Sequence, residues 1–304
     1  MFISPIPFVC PGKTTKHEVT KHNPIDWIAD PTPGATLTAF RLDGYVVNET
    51  SDAITAIFKK LVLKDSTPLP VPTPALGAQV LSRADVVGSA AFATMMGLPF
   101  HIVIFHESLG MTPVTESTPT LIVISALPNQ PATCNLRTVA DLRRKIRGYR
   151  GTSFQVSKEL RSADTHLECY LANNPGSDGQ FDSWPGDFDA VVFDIGTNAV
   201  RSLIEFKTHN GATPTAGEYL GKWPKEDHNR VKVLFALRDA VSRHQQIPLS
   251  LRYVVWGTKD IPAHDQIKIT EIVDRDDLEG NTSTSFVPRP AFGTFDAALL
   301  KVLS

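Results

Sequence analysis

The chain has 304 residues, 42% hydrophobic and 20% charged, with a formal net charge of −2 at pH 7. This is the composition of an ordinary soluble globular protein, long enough for one large core or two smaller ones. It excludes a protein that coats nucleic acid nonspecifically, because a slightly acidic surface offers a polyanion only local patches.

In chain order, the opening Met1-Phe-Ile-Ser-Pro-Ile-Pro7 lacks a basic start followed by a long apolar core, so no signal peptide is expected. Residues 36–47 read as a strand and 53–63 as a helix, before the proline-rich run Ser66-Thr-Pro-Leu-Pro-Val-Pro-Thr-Pro-Ala75. The uncharged stretch 86–105 is of membrane-spanning length, but Gly97-Leu98-Pro99 breaks it and His101 interrupts it. It is expected to fold as a buried helix over 84–96 and a core strand over 100–105, with another strand at 119–125. No internal repeat is evident, and no G-x-x-x-x-G-K-[ST] loop is present, so no NTP-binding motif is read. Residues 1–150 are therefore expected to form an α/β accessory region that recognises the substrate or docks a partner. The cysteines Cys10, Cys134 and Cys169 have no paired spacing, which argues against a zinc module or a disulfide framework and suits a reducing cytoplasm.

Residues 142–150, Leu-Arg-Arg-Lys-Ile-Arg-Gly-Tyr-Arg, form a basic cluster. On a helix, Leu142 and Ile146 face inward, and Arg143, Arg144, Lys145 and Arg147 become either a DNA grip or a solvated face near Asp141. From 157 to 174, Leu160, Ala163, Leu167, Tyr170 and Leu171 recur at helical spacing, stopped by Asn173-Asn174-Pro175-Gly176. Next come two short apolar runs rich in β-branched and aromatic residues, Ala190-Val-Val-Phe193 and Leu203-Ile-Glu-Phe206, separated by the turn residues Asp194-Ile-Gly-Thr-Asn198. They predict a hairpin. Glu205 stands inside an apolar strand, where an unpaired charge costs about 1–3 kcal/mol or more to desolvate. Strand alternation puts Glu205 and Lys207 on one face, with Asp189 on the neighbouring strand. Two carboxylates, the carbonyl of Phe206 and an adjacent ammonium suit a hard divalent cation with a water to be activated.

A Gly/Pro-rich loop over 208–225 follows, too long for a plain connection. It carries Tyr219, Lys222, Trp223 and Lys225, an aromatic and basic mix suited to a nucleic-acid backbone and an unstacked base. Val231, Leu234, Leu237 and Val241 predict a helix over 226–244, and 249–257 reads as a buried strand.

Asp189 followed by Glu205-Phe206-Lys207 resembles the signature of the PD-(D/E)XK nuclease superfamily, and the helix, hairpin, helix and strand of 152–260 come in that superfamily's order. The resemblance implies a restriction-endonuclease-like core (helix, mixed central sheet, helix) within a domain spanning 151–304. It implies Mg²⁺, with Mn²⁺ as a substitute, held by Asp189, Glu205, the Phe206 carbonyl and a helix acid. Glu168 is the first choice for that acid and Glu159 the rival; Asp187 is a further ligand or a partner of one. Lys207 is implied to position or deprotonate the attacking water in an endonuclease that leaves 5′-phosphate ends on DNA, in a restriction or phage-defence setting. Lys225, Asn229 or Arg230 is implied to reach phosphate, and His209 to touch phosphate or metal or to be a plain strand-end residue. A noncatalytic nucleic-acid-binding or protein-docking relative and a small phosphate-ester hydrolase remain alternatives, as does a homodimer.

Overall fold

The computed structural model describes the chain except residues 1, 16–19, 21, 31, 33–34, 112–113, 156, 158, 223, 276–277 and 279–282; of 224–229 only the backbone is described. It is an α/β protein in two compact units that interleave along the sequence, Met1–Lys21 with Asp43–Asp187 and His22–Leu42 with Phe188–Ser304. This differs from a division at residue 150. Leu167, Leu171 and Trp184 bury themselves in the core of the first unit, and Trp27, Ile28 and Ala39 in that of the second, so apolar burial carries both segments across the expected boundary.

Unit 1 contains β1 (Phe2–Ile3), β2 (Phe8–Val9), the end of β3 (Leu37–Val47), β4 (Ile54–Leu63), α1 (Pro74–Leu81), α2 (Ala84–Met95), β5 (Phe100–His106), β6 (Pro119–Ala126), β7 (Thr133–Thr138), α3 (Val139–Arg150), β8 (Ser162–Ala163) and α4 (His166–Asn173). β3 and β4 pair antiparallel; α1 and α2 carry the chain over to β5, parallel to β4; β6 and β7 continue antiparallel. The helix expected over 53–63 is instead strand β4. Ile54, Ile57, Phe58, Leu61 and Val62 mimic helical spacing only because both faces of this central strand are covered, which erases the two-residue period. The helix expected over 157–174 is shortened to α4, since Ser162–Ala163 pairs with Phe8–Val9. That pairing also carries Cys10 to α4, where it forms a disulfide with Cys169. The reading of the cysteines as unpaired is thus corrected, and with it the argument they gave for a reducing compartment. No described helix is long and apolar enough to cross a membrane.

Unit 2 contains a 3₁₀ turn at Pro24–Trp27, the start of β3, then β9 (Gly186–Asp194), β10 (Ala199–His209), α5 (Pro224–Gln245), β11 (Leu251–Gly257), β12 (Gln266–Ile272), β13 (Thr284–Pro288) and α6 (Ala297–Leu303). β9 and β10 form the expected hairpin, α5 leads to β11 parallel to β10, and β12 and β13 add antiparallel strands. Ala190, Val192, Ile204, Val254, Trp256, Ile267, Ile269 and the α6 leucines Leu299, Leu300 and Leu303 make one apolar core.

Candidate carboxylate and lysine site

The β9–β10 ladder runs from Asp194 opposite Ala199 to Ala190 opposite Ile204, bulging at Arg201. Past Ile204 a side chain takes over from the backbone, and Oδ2 of Asp189 accepts the Phe206 N–H at 2.8 Å. Asp189 is thereby fixed against the tripeptide Glu205-Phe206-Lys207. Phe206 is meanwhile paired with Val254 of β11, so the tripeptide is held on both sides.

Glu205 is 7% exposed. Its Oε1 accepts a hydrogen bond from Nε of Arg230 on α5 at 2.7 Å and is also paired with Nη2 of that guanidinium. A charge-assisted fork of this kind offsets the desolvation of a buried carboxylate. Lys207 follows two residues later, on the same face as Glu205 and half-buried. Its ammonium makes no hydrogen bond or ion pair with the described residues. The hairpin thus carries Asp189 on β9 and Glu205 and Lys207 on β10, with Asp189 bonded to the backbone of the tripeptide, and Arg230, expected at phosphate, is turned onto Glu205.

The helix acids expected at the site have partners or places of their own within unit 1. Glu168 lies in unit 1, where it closes a capping box with Thr165 and accepts from Nζ of Lys60 at 2.6 Å. Glu159 lies in a loop before α4 with φ of 50°. In unit 2 the helical turn ahead of the first strand is Pro24–Trp27, and its acid is the exposed Asp26, whose carboxyl partial burial pushes up. Asp187 is half-buried on β9, two residues before Asp189.

Among the described residues, no group of three or more His, Cys, Asp or Glu side chains is placed to hold a metal ion. A pair of carboxylates still fits Mg²⁺ in donor type and number, because this ion is commonly held by one or two carboxylates, with waters and substrate phosphates completing its shell.

The residues expected to grip DNA are mostly engaged elsewhere. Arg143 is 2% exposed and bonded to Glu116 and to the carbonyls of Leu171 and Asn174. Arg147 pairs with Asp178 and Asp182, and exposed Arg144 with Asp141. A basic run on α3 therefore serves mainly as internal ion pairs, since the acids that meet it come from distant loops. Lys222 pins its own loop to Glu218 and the Gly217 carbonyl. Trp223 and the side chains of Lys225 and Asn229 lie outside the described residues. His209, at the end of β10, contacts the Thr213 carbonyl through Nε2 at 2.8 Å and Glu218 through Nδ1 at 3.3 Å. It closes the loop rather than facing a substrate.

No family model and no curated protein matches this chain. Among solved structures it is similar to "Crystal structure of Sex pheromone staph-cAM373 precursor", with 8% identity over 94% of this chain and 86% of that one and a TM-score of 0.17. Likeness at that level carries neither fold nor function.

Proposed function

We propose that the chain is a metal-dependent deoxyribonuclease of the PD-(D/E)XK kind, with a restriction-endonuclease-like core in unit 2 and a reaction centre of Asp189, Glu205 and Lys207. The observation that carries this reading is the hydrogen bond from the Phe206 N–H to Asp189. It locks the first acid beside Glu205 while Lys207 keeps an ammonium uncommitted to any described partner. An antiparallel hairpin followed by a helix and a parallel strand agrees with such a core.

A bound Mg²⁺ would be held by Asp189 and Glu205 and would supply charge neutralisation at the scissile phosphate. Lys207 holds the attacking water by one of its N–H groups or takes its proton, which requires the neutral amine. Arg230 orients the Glu205 carboxylate. DNA is the proposed partner, and restriction or phage defence the proposed setting. The opposing reading, a noncatalytic relative, draws on the same Arg230, whose guanidinium already occupies Oε1 of Glu205.

The test is incubation of the purified chain with supercoiled plasmid in Mg²⁺, in Mn²⁺ and in chelator. Metal-dependent cleavage is expected, reduced about 10²–10⁴-fold by Lys207→Ala with plasmid retention largely kept. Plasmid left intact in both metals, or cut equally well in chelator, overturns the proposal.

A further inference from the structure

Unit 1 repeats, element for element, the part of unit 2 that carries Asp189 and Glu205. In each, an antiparallel hairpin (β3 and β4; β9 and β10) leads through helix (α1 and α2; α5) to a parallel strand (β5; β11). Two antiparallel strands follow (β6 and β7; β12 and β13), then a closing helix (α3; α6).

The register repeats as well. Phe58 pairs with His101, which pairs with Ser125; Ile204 pairs with Arg252, which pairs with Glu271. Each hairpin ladder skips one residue of its second strand, Thr55 in β4 and Arg201 in β10. Each turn has one left-handed residue, Asp52 with φ of 52° and Asn198 with φ of 53°. Each turn opens on a side-chain oxygen that accepts the N–H three residues on, Asn48 from Ser51 and Asp194 from Thr197. Where the ladder ends, Oδ2 of Asp43 accepts the Lys60 N–H at 3.1 Å, as Oδ2 of Asp189 accepts that of Phe206 at 2.8 Å. The same number of residues separates Asp43 from Asp189, Asp52 from Asn198, Thr55 from Arg201, Lys60 from Phe206 and Ser125 from Glu271. The cores are drawn from matching positions too: Val46 and Val192, Phe58 and Ile204, Phe105 and Trp256, Val123 and Ile269.

This equivalence assigns a counterpart to each member of the site. Asp43 stands for Asp189, Lys59 for Glu205 and Leu61 for Lys207. Lys59 brings an ammonium where unit 2 has a carboxylate, and its Nζ lies 3.1 Å from Oδ2 of Asp43, with both side chains 11% exposed. The next residue, Lys60, places a second ammonium 2.6 Å from Glu168 and 3.6 Å from Asp164.

We propose that the chain is a fused pair of copies of one unit, and that unit 1 is a closed copy in which Lys59 fills, with its own ammonium, the place that a divalent cation takes beside Asp189 in unit 2. The Lys59 ammonium, already paired with Asp43, repels a further cation at that place, so each chain has one centre. The unit 2 half of this statement rests on the proposed function, and from it a single chain nicks one strand per encounter.

Mn²⁺ binding, read by electron paramagnetic resonance on the full chain, tests the inference apart from cleavage. The wild type is expected to hold one equivalent, lost in Asp189→Asn and kept in Asp43→Asn. In an Asp189→Asn background, Lys59→Glu rebuilds the acid pair in unit 1 and is expected to restore about one equivalent, which adding Asp43→Asn removes. A folded Lys59→Glu chain, checked by circular dichroism, that gains no Mn²⁺ while the wild type binds one overturns the equivalence and leaves the nuclease reading standing. A gain in Lys59→Glu with no binding in the wild type has the opposite meaning. If Lys59→Glu does not fold, two equivalents in the wild type, one of them lost in Asp43→Asn, still overturn the proposal.

Discussion

At the scale of single residues, polar groups in this protein are placed by partners that lie far away in sequence. His101 is fully buried on β5, hydrogen-bonded at 2.9 Å to Ser125 and at 2.9 Å to Tyr149. Burial, with the charge of Lys145 as a smaller cause, pushes its pKa down from 6.5 to about 3, so the native ring stays neutral where an unfolded one would be charged. The unfolded chain then binds more protons between those two values, and stability falls as pH drops below 6.5. At pH 5 this one residue is expected to cost about 2 kcal/mol relative to pH 7, seen as a lower urea midpoint. His101→Gln should flatten that part of the dependence, and an equally steep loss in the variant would remove His101 as its source. Gly257 shows the same economy of space, because a Cβ there would lie 2.1 Å from Cγ of His264.

At the scale of elements, α3 and the β2–β8 strap show how a motif that looks functional can be structural. Arg143 is a brace between α3, Glu116 and the end of α4. Arg143→Ala strands its partners, and a loss of about 3–5 kcal/mol in chemical denaturation is expected, with DNA affinity and its salt dependence unchanged. A large change in salt dependence would return Arg143 to the DNA surface. The Cys10–Cys169 bond ties the N-terminal segment to α4 and closes a long loop. Cys10→Ser, or reduction of the wild type, is expected to lower stability by about 2–5 kcal/mol; a variant as stable as the oxidised parent would argue that the bond does not form in solution.

At the scale of the molecule, the net charge is −2 and Arg143, Arg147, Lys59 and Lys60 are paired internally, so these four are not offered to phosphate and the slightly acidic surface meets a polyanion only through local patches. Plasmid binding should therefore weaken only gently with salt, with a log–log slope of about −3 or shallower. A steep slope, near −8, would mean a large basic surface built from groups not named here.

By itself the sequence determined the hairpin that carries Asp189, Glu205 and Lys207, together with α2 and α5, because apolar period and turn chemistry act over short spans. Only the tertiary structure decided that 53–63 is a strand, that Cys10 meets Cys169, that Glu168 belongs to Lys60 and that the two units share one plan. A strand covered on both faces accepts almost any apolar residue, so two copies can keep their registers, bulges and turns while losing the sequence likeness that would reveal them.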